Sequence, residues 1–387
     1  MKALLTRFGG IGDMMPLEVV ARQLKKKGYE VIFAVRDDGP KMRLSDVFYK
    51  NPSFDKILDF QQIGPWQTRC VKTQFGFCSI NALYRDFDLV VDFMNCVENN
   101  STSPFRQNGP DKAWQASRNS NWQNWYDIHL AWAGIDPISI PEDEKRPKLN
   151  FVEGEKEMFA KVKGKHSHLF VLQTSASSLS RTWYQGKALP DMLIKKYPEA
   201  VVAFWDAPSN IWVMYSKEGA SRLEAPEGVS PLRFSMGLVG SADLFVGVDS
   251  GFTHVAEGFN IPHIAIYSTV PAWTRNKYYK NQVAIDPGEV NPEFYTFNLG
   301  LGDPLRVKEG IANLTVREKQ VMDLYEKKAP LEVAMRELNT DREGADLELQ
   351  TLKAKLASFE RLQSKALSTV TPEAVFSKIE EVLNEKN

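Results

Sequence analysis

The sequence has few cysteines, almost no net charge and no long apolar run. The three cysteines, Cys70, Cys78 and Cys96, form an odd set without metal-ligand spacing, so free thiols in a reducing compartment are expected rather than a disulfide framework. A formal net charge of −1 argues against wholesale electrostatic binding to nucleic acid or to an anionic membrane. Because no apolar segment is long enough for a membrane span or a signal peptide, we expect a soluble cytoplasmic protein.

The chain is long enough for two domains and an additional element. Of its 387 residues, 43% are hydrophobic and 25% are charged, which is typical of a globular protein. Apolar strand candidates alternate with helical patterns in both halves, and this alternation predicts parallel sheets covered by helices. The predicted strands are 3–8, 30–35, 56–60, 89–93, 168–172, 200–205, 244–248 and 263–267. The sequence thus predicts an α/β fold with domains at residues 1–148 and 149–314.

Three further regions have distinct patterns. Residues 98–127 are rich in Asn, Ser, Gln and Trp and are interpreted as a long irregular loop, and the proline-containing segment 135–148 as an interdomain linker. Residues 315–368 are charged, almost free of glycine and carry apolar residues at coiled-coil-like spacing, which predicts an inserted helical hairpin that offers a route to self-association. Within 369–387, Thr371 and Pro372 predict the start of a last helix, with Thr as N-cap and Pro at the first position.

Two glycine-bearing turns join a predicted strand to a predicted helix, the position where ligands bind in open parallel sheets. The first is Gly9-Gly10-Ile11-Gly12-Asp13, which lacks the glycine spacing of a dinucleotide-binding fingerprint. Asp13 at this position is either a plain N-cap or a carboxylate that faces the cleft as a general base.

The second turn is Asp249-Ser250-Gly251-Phe252-Thr253-His254. Free backbone N–H groups, the helix dipole and the hydroxyls of Ser250 and Thr253 would bind a pyrophosphate, and Gly251 would allow close approach of the backbone. The alternative is structural: Asp249 caps the helix and His254 packs in the core.

These motifs together resemble glycosyltransferase family nine, typified by the ADP-heptose:lipopolysaccharide heptosyltransferases. The resemblance is carried by the Gly-Asp pair after the first strand, the Asp-Ser-Gly-x-x-His turn, the run from 173–175 to 181–183, and segments 85–92 and 371–375. It covers roughly residues 1–300 and the last helix, and the turn at 249–254 is its most specific part.

The resemblance implies a GT-B fold, in which two Rossmann-like domains face each other across a cleft. It also implies an inverting transfer from a nucleotide-sugar donor, with an ADP-sugar favoured and with neither a bound metal nor a cofactor required. Asp13 would be the general base. The implied donor-binding residues are Gly12, Thr174, Ser175, Arg181, Asp249, Ser250, Gly251, Thr253 and His254, where Arg181 stands at a position usually occupied by lysine. The loop after strand 200–205, including Asp206 and Ser209, would contribute to base specificity.

The acceptor and the class of function leave alternatives open. Segment 95–132 has only Arg106, Lys112 and Arg118 as basic residues between 100 and 120, which disfavours an anionic lipopolysaccharide acceptor relative to another glycan. Segment 314–322 is similar to the opening helix of helix-turn-helix domains, which would suggest a modified DNA base as acceptor, as in viral enzymes; the acidic run 341–346 argues against it. The cytoplasm would then be that of a bacterium or of a virus-infected bacterial cell. A non-catalytic nucleotide-sugar binding module is the alternative from another class.

Overall fold

The computed structural model describes most of both halves of the chain: residues 1–7, 9–35, 43–59, 71–72, 78–79, 87–93, 124–176, 181–206, 211–268, 270–291 and 365–385, and the isolated positions 321, 341, 344, 347 and 348. The first half contains β1 (Lys2–Thr6), α1 (Ile11–Lys26), β2 (Glu30–Val35), β3 (Lys56–Asp59), β4 (Val71–Lys72), β5 (Cys78–Ser79), β6 (Leu89–Asp92) and α2 (Trp125–Trp132).

The second half contains α3 (Glu155–Lys163), β7 (Leu169–Gln173), α4 (Leu189–Lys196), β8 (Val201–Asp206), β9 (Ile211–Ser216), β10 (Gly219–Leu223), α5 (Pro231–Gly240), β11 (Leu244–Val248), α6 (Gly251–Gly258), β12 (His263–Ile266), α7 (Trp273–Asn276), β13 (Gln282–Ile285), α8 (Pro287–Val290), α9 (Lys365–Ser368) and α10 (Pro372–Asn384). Short 3-10 helices occupy Leu44–Phe48, Pro137–Ser139, Glu142–Glu144 and Tyr184–Ala188.

Each half is built on its own sheet, which confirms the predicted α/β class. The first sheet has the order β3-β2-β1-β6 with all neighbours parallel. The second has the order β10-β9-β8-β7-β11-β12-β13, in which β8, β7, β11, β12 and β13 are parallel. Strands β9 and β10, which the sequence analysis did not predict, are antiparallel and form a hairpin at one edge of the second sheet, where a tight turn needs no crossover helix.

The apolar core continues from one half into the other. One cluster of buried side chains includes Leu5 and Phe33 from the first sheet together with Phe159 and Phe245 from the second half. A second cluster lies on the other face of the large sheet. Buried apolar residues on successive strand positions are what parallel strands covered on both faces require.

Helices α1 and α2 begin at positions that differ from the prediction. The structure starts α1 at Ile11, because Gly10 is the extended N-cap residue and the Asp13 carboxylate accepts a hydrogen bond from the Gly10 amide at 2.7 Å. Asp13 is therefore the third helical residue rather than the N-cap. Helix α2 begins at Trp125, inside the predicted irregular loop 98–127, since Asn124 caps it by accepting from the Tyr126 amide.

The predicted linker 135–148 is attached to both halves along its length. The Lys148 amide donates to the buried carboxylate of Glu18 on α1 at 2.9 Å. Arg146 forms an ion pair with Glu257 on α6 at 3.0 Å, and its carbonyl accepts from Arg22 at 2.8 Å. These contacts fix the segment between the halves.

The last helix forms as predicted. Thr371 caps α10 by accepting from the Ala374 amide at 3.2 Å, and Pro372 is at the first helical position. Its buried residues Val375 and Ile379 belong to the second core cluster. Apart from α9 and the isolated positions, the predicted helical insertion 315–368 lies outside the described residues, as do residues 94–123.

Candidate active site

The candidate donor-binding turn lies at the carboxyl end of β11. Asp249 is 4% exposed, and Ser250 is the N-cap of α6, so the alternative in which Asp249 caps the helix is wrong. The Ser250 hydroxyl donates to Gln173 Oε1 at 2.6 Å and accepts from the Phe252 amide at 3.3 Å. The Thr253 hydroxyl donates to the Ser250 carbonyl at 2.6 Å. Both hydroxyls thus form hydrogen bonds within the protein, and these bonds order the first turn of the helix.

The candidate base lies at the start of α1 in the other half. Asp13 Oδ1 accepts from Arg7 at 3.1 Å and Oδ2 accepts from the Gly10 amide at 2.7 Å, while the side chain keeps 20% of its surface exposed. Arg7 is 1% exposed and also donates to the Phe93 carbonyl at 2.5 Å. Gly9 has φ +142°, and a Cβ there would lie 2.4 Å from Asp13 Oδ2. The carboxylate is therefore held in one position while it stays partly exposed.

The two turns meet. A Cβ on Gly251 would lie 2.6 Å from Ile11 Cβ and 2.9 Å from the Gly12 nitrogen, and a Cβ on Gly12 would lie 3.3 Å from the His254 ring. The missing side chain of Gly251 thus makes room for α1 of the other half. Two helix N-termini, each the positive end of a helix dipole, face each other here, and such an arrangement attracts an anion.

The other predicted donor-binding residues lie at the same end of the second sheet, where β7 and β11 end: Thr174, Ser175 and Arg181. Arg181 donates to the Asp249 carbonyl at 3.2 Å and lies 3.8 Å from the Asp249 carboxylate. Thr174 and Ser175 follow β7 and are 5% and 7% exposed. The Thr174 carbonyl accepts from the Trp183 amide at 2.7 Å, which joins the two parts of the segment around Arg181. Asp206 is the last residue of β8, the strand next to β7, and its backbone pairs with that of Ile211 on β9.

His254 is buried and connected to two tyrosines. It is 4% exposed, and burial lowers its pKa to about 4. Its Nδ1 shares a hydrogen bond with the hydroxyl of Tyr279, which is in turn 2.5 Å from the hydroxyl of Tyr126 on α2. At neutral pH the imidazole is therefore uncharged, and the connected hydroxyls fix the orientation of its ring.

The start of α2 contacts α7 and the segment after it, across the two halves. Asn124 donates to the carbonyls of Trp273 and Thr274 at 2.9 and 3.3 Å. The guanidinium of Arg275 lies 3.3 Å from the ring centroid of Trp125. Sequence reasoning missed both Arg275 and the Tyr279 contact, because their surroundings come from segments about 150 residues apart.

Two further features of the described residues concern metal ions and membranes. In the described part of the chain, no three His, Cys, Asp or Glu side chains are grouped so that they could hold a metal ion. The same residues contain no helix that is long and apolar enough to cross a membrane. Ser209, the basic residues at 106, 112 and 118, and segments 314–320 and 342–343 lie outside the described residues.

Comparison with known proteins supports the family suggested by the motifs. The model of glycosyltransferase family 9 (heptosyltransferase) matches residues 136–294, which include β7, Arg181 and the turn at 249–254. No match was found among curated proteins.

Several solved structures are similar at low identity. ADP-heptose lipopolysaccharide heptosyltransferase II from E. coli is 14% identical, with 74% of this chain and 90% of that chain covered and a TM-score of 0.49. A family 9 glycosyltransferase from Veillonella parvula is also 14% identical, with 78% and 91% covered and a TM-score of 0.47. The E. coli heptosyltransferase WaaC with ADP-2-deoxy-2-fluoro heptose is 12% identical, with 74% and 93% covered and a TM-score of 0.42.

The family match coincides with the elements that carry the donor-side motifs, in line with the prediction from the sequence. Residues 136–294 are therefore similar to a glycosyltransferase family 9 (heptosyltransferase) domain, which supports the predicted enzyme class.

Proposed function

We propose that the protein transfers a sugar from a nucleoside-diphosphate sugar to an acceptor hydroxyl, with inversion and without a bound metal or other cofactor. The observation that carries the proposal is the convergence of two helix starts, α1 with Asp13 and α6 with Gly251, in contact across the two halves. An anion-binding helix end in one half and a partly exposed carboxylate beside it in the other half are the two groups that such a transfer needs.

The donor diphosphate binds at the start of α6. Within the described residues, no group accepts a hydrogen bond from the Gly251 amide, so this N–H is available to a phosphate oxygen. Arg181 brings a cation to the same turn, since it contacts Asp249 just before the helix. An arginine can bind two phosphate oxygens at once. The resemblance to heptosyltransferases favours an ADP-sugar.

The transfer proceeds as a single displacement. The acceptor oxygen forms a bond to the anomeric carbon while the bond from that carbon to the diphosphate oxygen breaks, which inverts the configuration. Asp13 takes the proton of the acceptor hydroxyl, and the departing diphosphate keeps the bonding electrons. Arg181 and the helix dipole stabilise the charge that develops on the leaving group.

The acceptor remains open between a glycan and a modified DNA base. The basic residues predicted for the acceptor side and most of the segment similar to a helix-turn-helix lie outside the described residues. Location in the cytoplasm of a bacterium, or of a virus-infected bacterial cell, and self-association through 315–368 are further parts of the proposal.

A two-stage assay tests the proposal. First, thermal unfolding is measured with ADP, UDP, GDP and their sugars, and the nucleotide that stabilises the protein most identifies the donor class. Second, release of that diphosphate from its sugar is measured with candidate glycans and with duplex DNA. Donor consumption with one acceptor supports a transferase, and tight binding without consumption with any acceptor supports the non-catalytic module. Absence of binding to all three diphosphates contradicts the proposal.

A further inference from the structure

Arg275 on α7 is a nearly buried cation whose guanidinium has no hydrogen-bond acceptor among the described residues. It is 8% exposed, and no described carboxylate lies within ion-pair distance. Its close neighbour is the face of Trp125, 3.3 Å from the guanidinium carbon. A guanidinium carries five N–H donors, and those of Arg275 are not among the fully buried unpartnered nitrogens of the described residues, so its N–H edge is open to a ligand.

Among the described residues, the other two buried arginines, Arg7 and Arg233, have hydrogen-bond acceptors. Arg7 contacts Asp13 and the Phe93 carbonyl. Arg233, at 6% exposed, donates to Glu155 at 2.8 and 2.5 Å and to the Asn150 carbonyl at 2.9 Å. Arg275 departs from this pattern, and burial lowers its pKa. A nearly buried arginine without an acceptor among the described residues can bind an anionic ligand.

Arg275 lies close to the donor-binding turn: Tyr279, four residues after it, hydrogen-bonds to His254 of that turn and to Tyr126, the neighbour of Trp125. The pKa of Arg275 is lowered by burial first, and the charges of Asp249, Arg181 and Asp13 then act on it. Among the described residues, Arg7, Arg181 and Arg275 bring guanidinium groups to this region, and Asp13 and Asp249 bring carboxylates. His254 is neutral because burial lowers its pKa to about 4.

We propose that Arg275 is a second phosphate-binding arginine, which binds the leaving diphosphate together with Arg181, and that Trp125 is its positioning residue. This inference rests on the proposed function and assigns a further residue to it. A ring face attracts a cation and fixes its plane, but it carries no net charge and leaves the N–H edge and the full positive charge for the ligand. Because Trp125 belongs to the first half and Arg275 to the second, both halves contribute residues to the proposed donor site.

The test compares Arg275→Gln with Arg233→Gln, a matched control at a paired buried arginine. For each protein, thermal unfolding and calorimetric titration are measured with ADP and with adenosine, which lacks phosphates; UDP or GDP and its nucleoside replace them if the wild type prefers that base. We expect Arg275→Gln to unfold at the wild-type temperature or higher, because an unpaired buried cation is removed. It should bind ADP about 10- to 100-fold more weakly and adenosine with unchanged affinity. Arg233→Gln should unfold at a lower temperature and keep its affinity for ADP.

A variant of the tryptophan separates positioning from packing. Trp125→Leu should weaken ADP binding in the same direction as Arg275→Gln, by a smaller factor, and leave adenosine affinity unchanged. The inference is overturned if Arg275→Gln binds ADP as tightly as the wild type. It is also overturned if that variant unfolds or loses ADP and adenosine affinity together, because Arg275 would then support the fold. Failure of the wild type itself to bind any nucleoside diphosphate would instead reject the proposed function.

Discussion

At the scale of single residues, the site depends on direct contacts between the two halves. Asp13 is held by Arg7 and the Gly10 amide, so its carboxylate has one position relative to the start of α6. Glycine is required at two nearby positions for a steric reason. A side chain at Gly9 would collide with Asp13, and one at Gly251 would collide with α1. Catalysis by positioning needs this precision, because small displacements of a base reduce the rate strongly.

Asp13→Asn tests the general base. The amide cannot take a proton from the acceptor, so kcat should fall by about 10²- to 10⁴-fold. Donor affinity, measured by calorimetric titration, should stay close to wild type, since the diphosphate is bound by groups of the other half, the start of α6 and Arg181. Asp191→Asn, at an exposed position on α4, is the control and should leave both values unchanged. Normal turnover by Asp13→Asn would remove Asp13 from this role.

Gly251→Ala tests the close approach of the two helices. Its Cβ would lie 2.6 Å from Ile11 Cβ and 2.9 Å from the Gly12 nitrogen, so one helix must shift. We expect a loss of about 1–3 kcal/mol in the free energy of unfolding. Gly12→Ala should cost less, because its Cβ would lie 3.3 Å from a side-chain ring rather than against backbone. Chemical unfolding of both variants gives this order, and the reverse order would contradict the contact.

At the scale of elements, the linker contributes charge pairs that hold the halves together. Arg146 reaches Glu257 on α6 at 3.0 Å, and the Glu257 side chain is almost fully buried. Burial raises the pKa of Glu257, although Arg146 and two backbone amides oppose this effect. Removal of the arginine would therefore leave a buried carboxylate without its counter-ion.

Arg146→Ala should lower the free energy of unfolding by about 3–5 kcal/mol near neutral pH. Because the pKa of Glu257 in the folded state lies above its usual value of 4.5, the folded chain binds a proton more tightly than the unfolded chain. The contribution of this group to stability therefore falls as pH rises from 4.5 to the folded-state value, and the deficit of the variant should shrink in acid. Chemical unfolding at acidic and neutral pH checks this, and in a Glu257→Gln background the pH dependence of the deficit should disappear. A deficit that grows in acid would contradict the assignment.

The elements differ in how well the sequence predicts them. Strands β2 and β11 form with the predicted bounds, because their continuous apolar runs are buried on both faces. The β9–β10 hairpin was missed, since most of its residues are half-buried or exposed and alternate weakly. Helix α2 was missed in part because its first turn follows an Asn- and Ser-rich segment. The turn at 249–254 was found from local spacing. The importance of Arg275 could not be predicted in this way, because its burial without a hydrogen-bond acceptor among the described residues is visible only in the fold.

At the scale of the whole molecule, the two halves share a core. Buried residues from both sheets belong to one cluster, and the buried Glu18 on α1 accepts from the Lys148 amide and the Ser53 hydroxyl. Ser230 at the start of α5 bonds to Asp46 in the first half. Domains that share little surface unfold separately, but a continuous core couples them.

We therefore expect one cooperative unfolding transition of the full chain. Scanning calorimetry should give a calorimetric enthalpy equal to the van't Hoff enthalpy, because both halves lose the shared core at once. Addition of the preferred nucleoside diphosphate should raise the midpoint without splitting the transition. Two separate transitions, only one of which responds to nucleotide, would show that the halves are energetically independent.

The most direct test of the central claim is a crystal structure of the protein with the nucleoside diphosphate that it binds best. We predict that the phosphates lie at the start of α6, within hydrogen-bond distance of the Gly251 amide and the Arg181 guanidinium, on the side that faces Asp13. A diphosphate bound at another place, with the start of α6 still in contact with α1 and without phosphate, would contradict it.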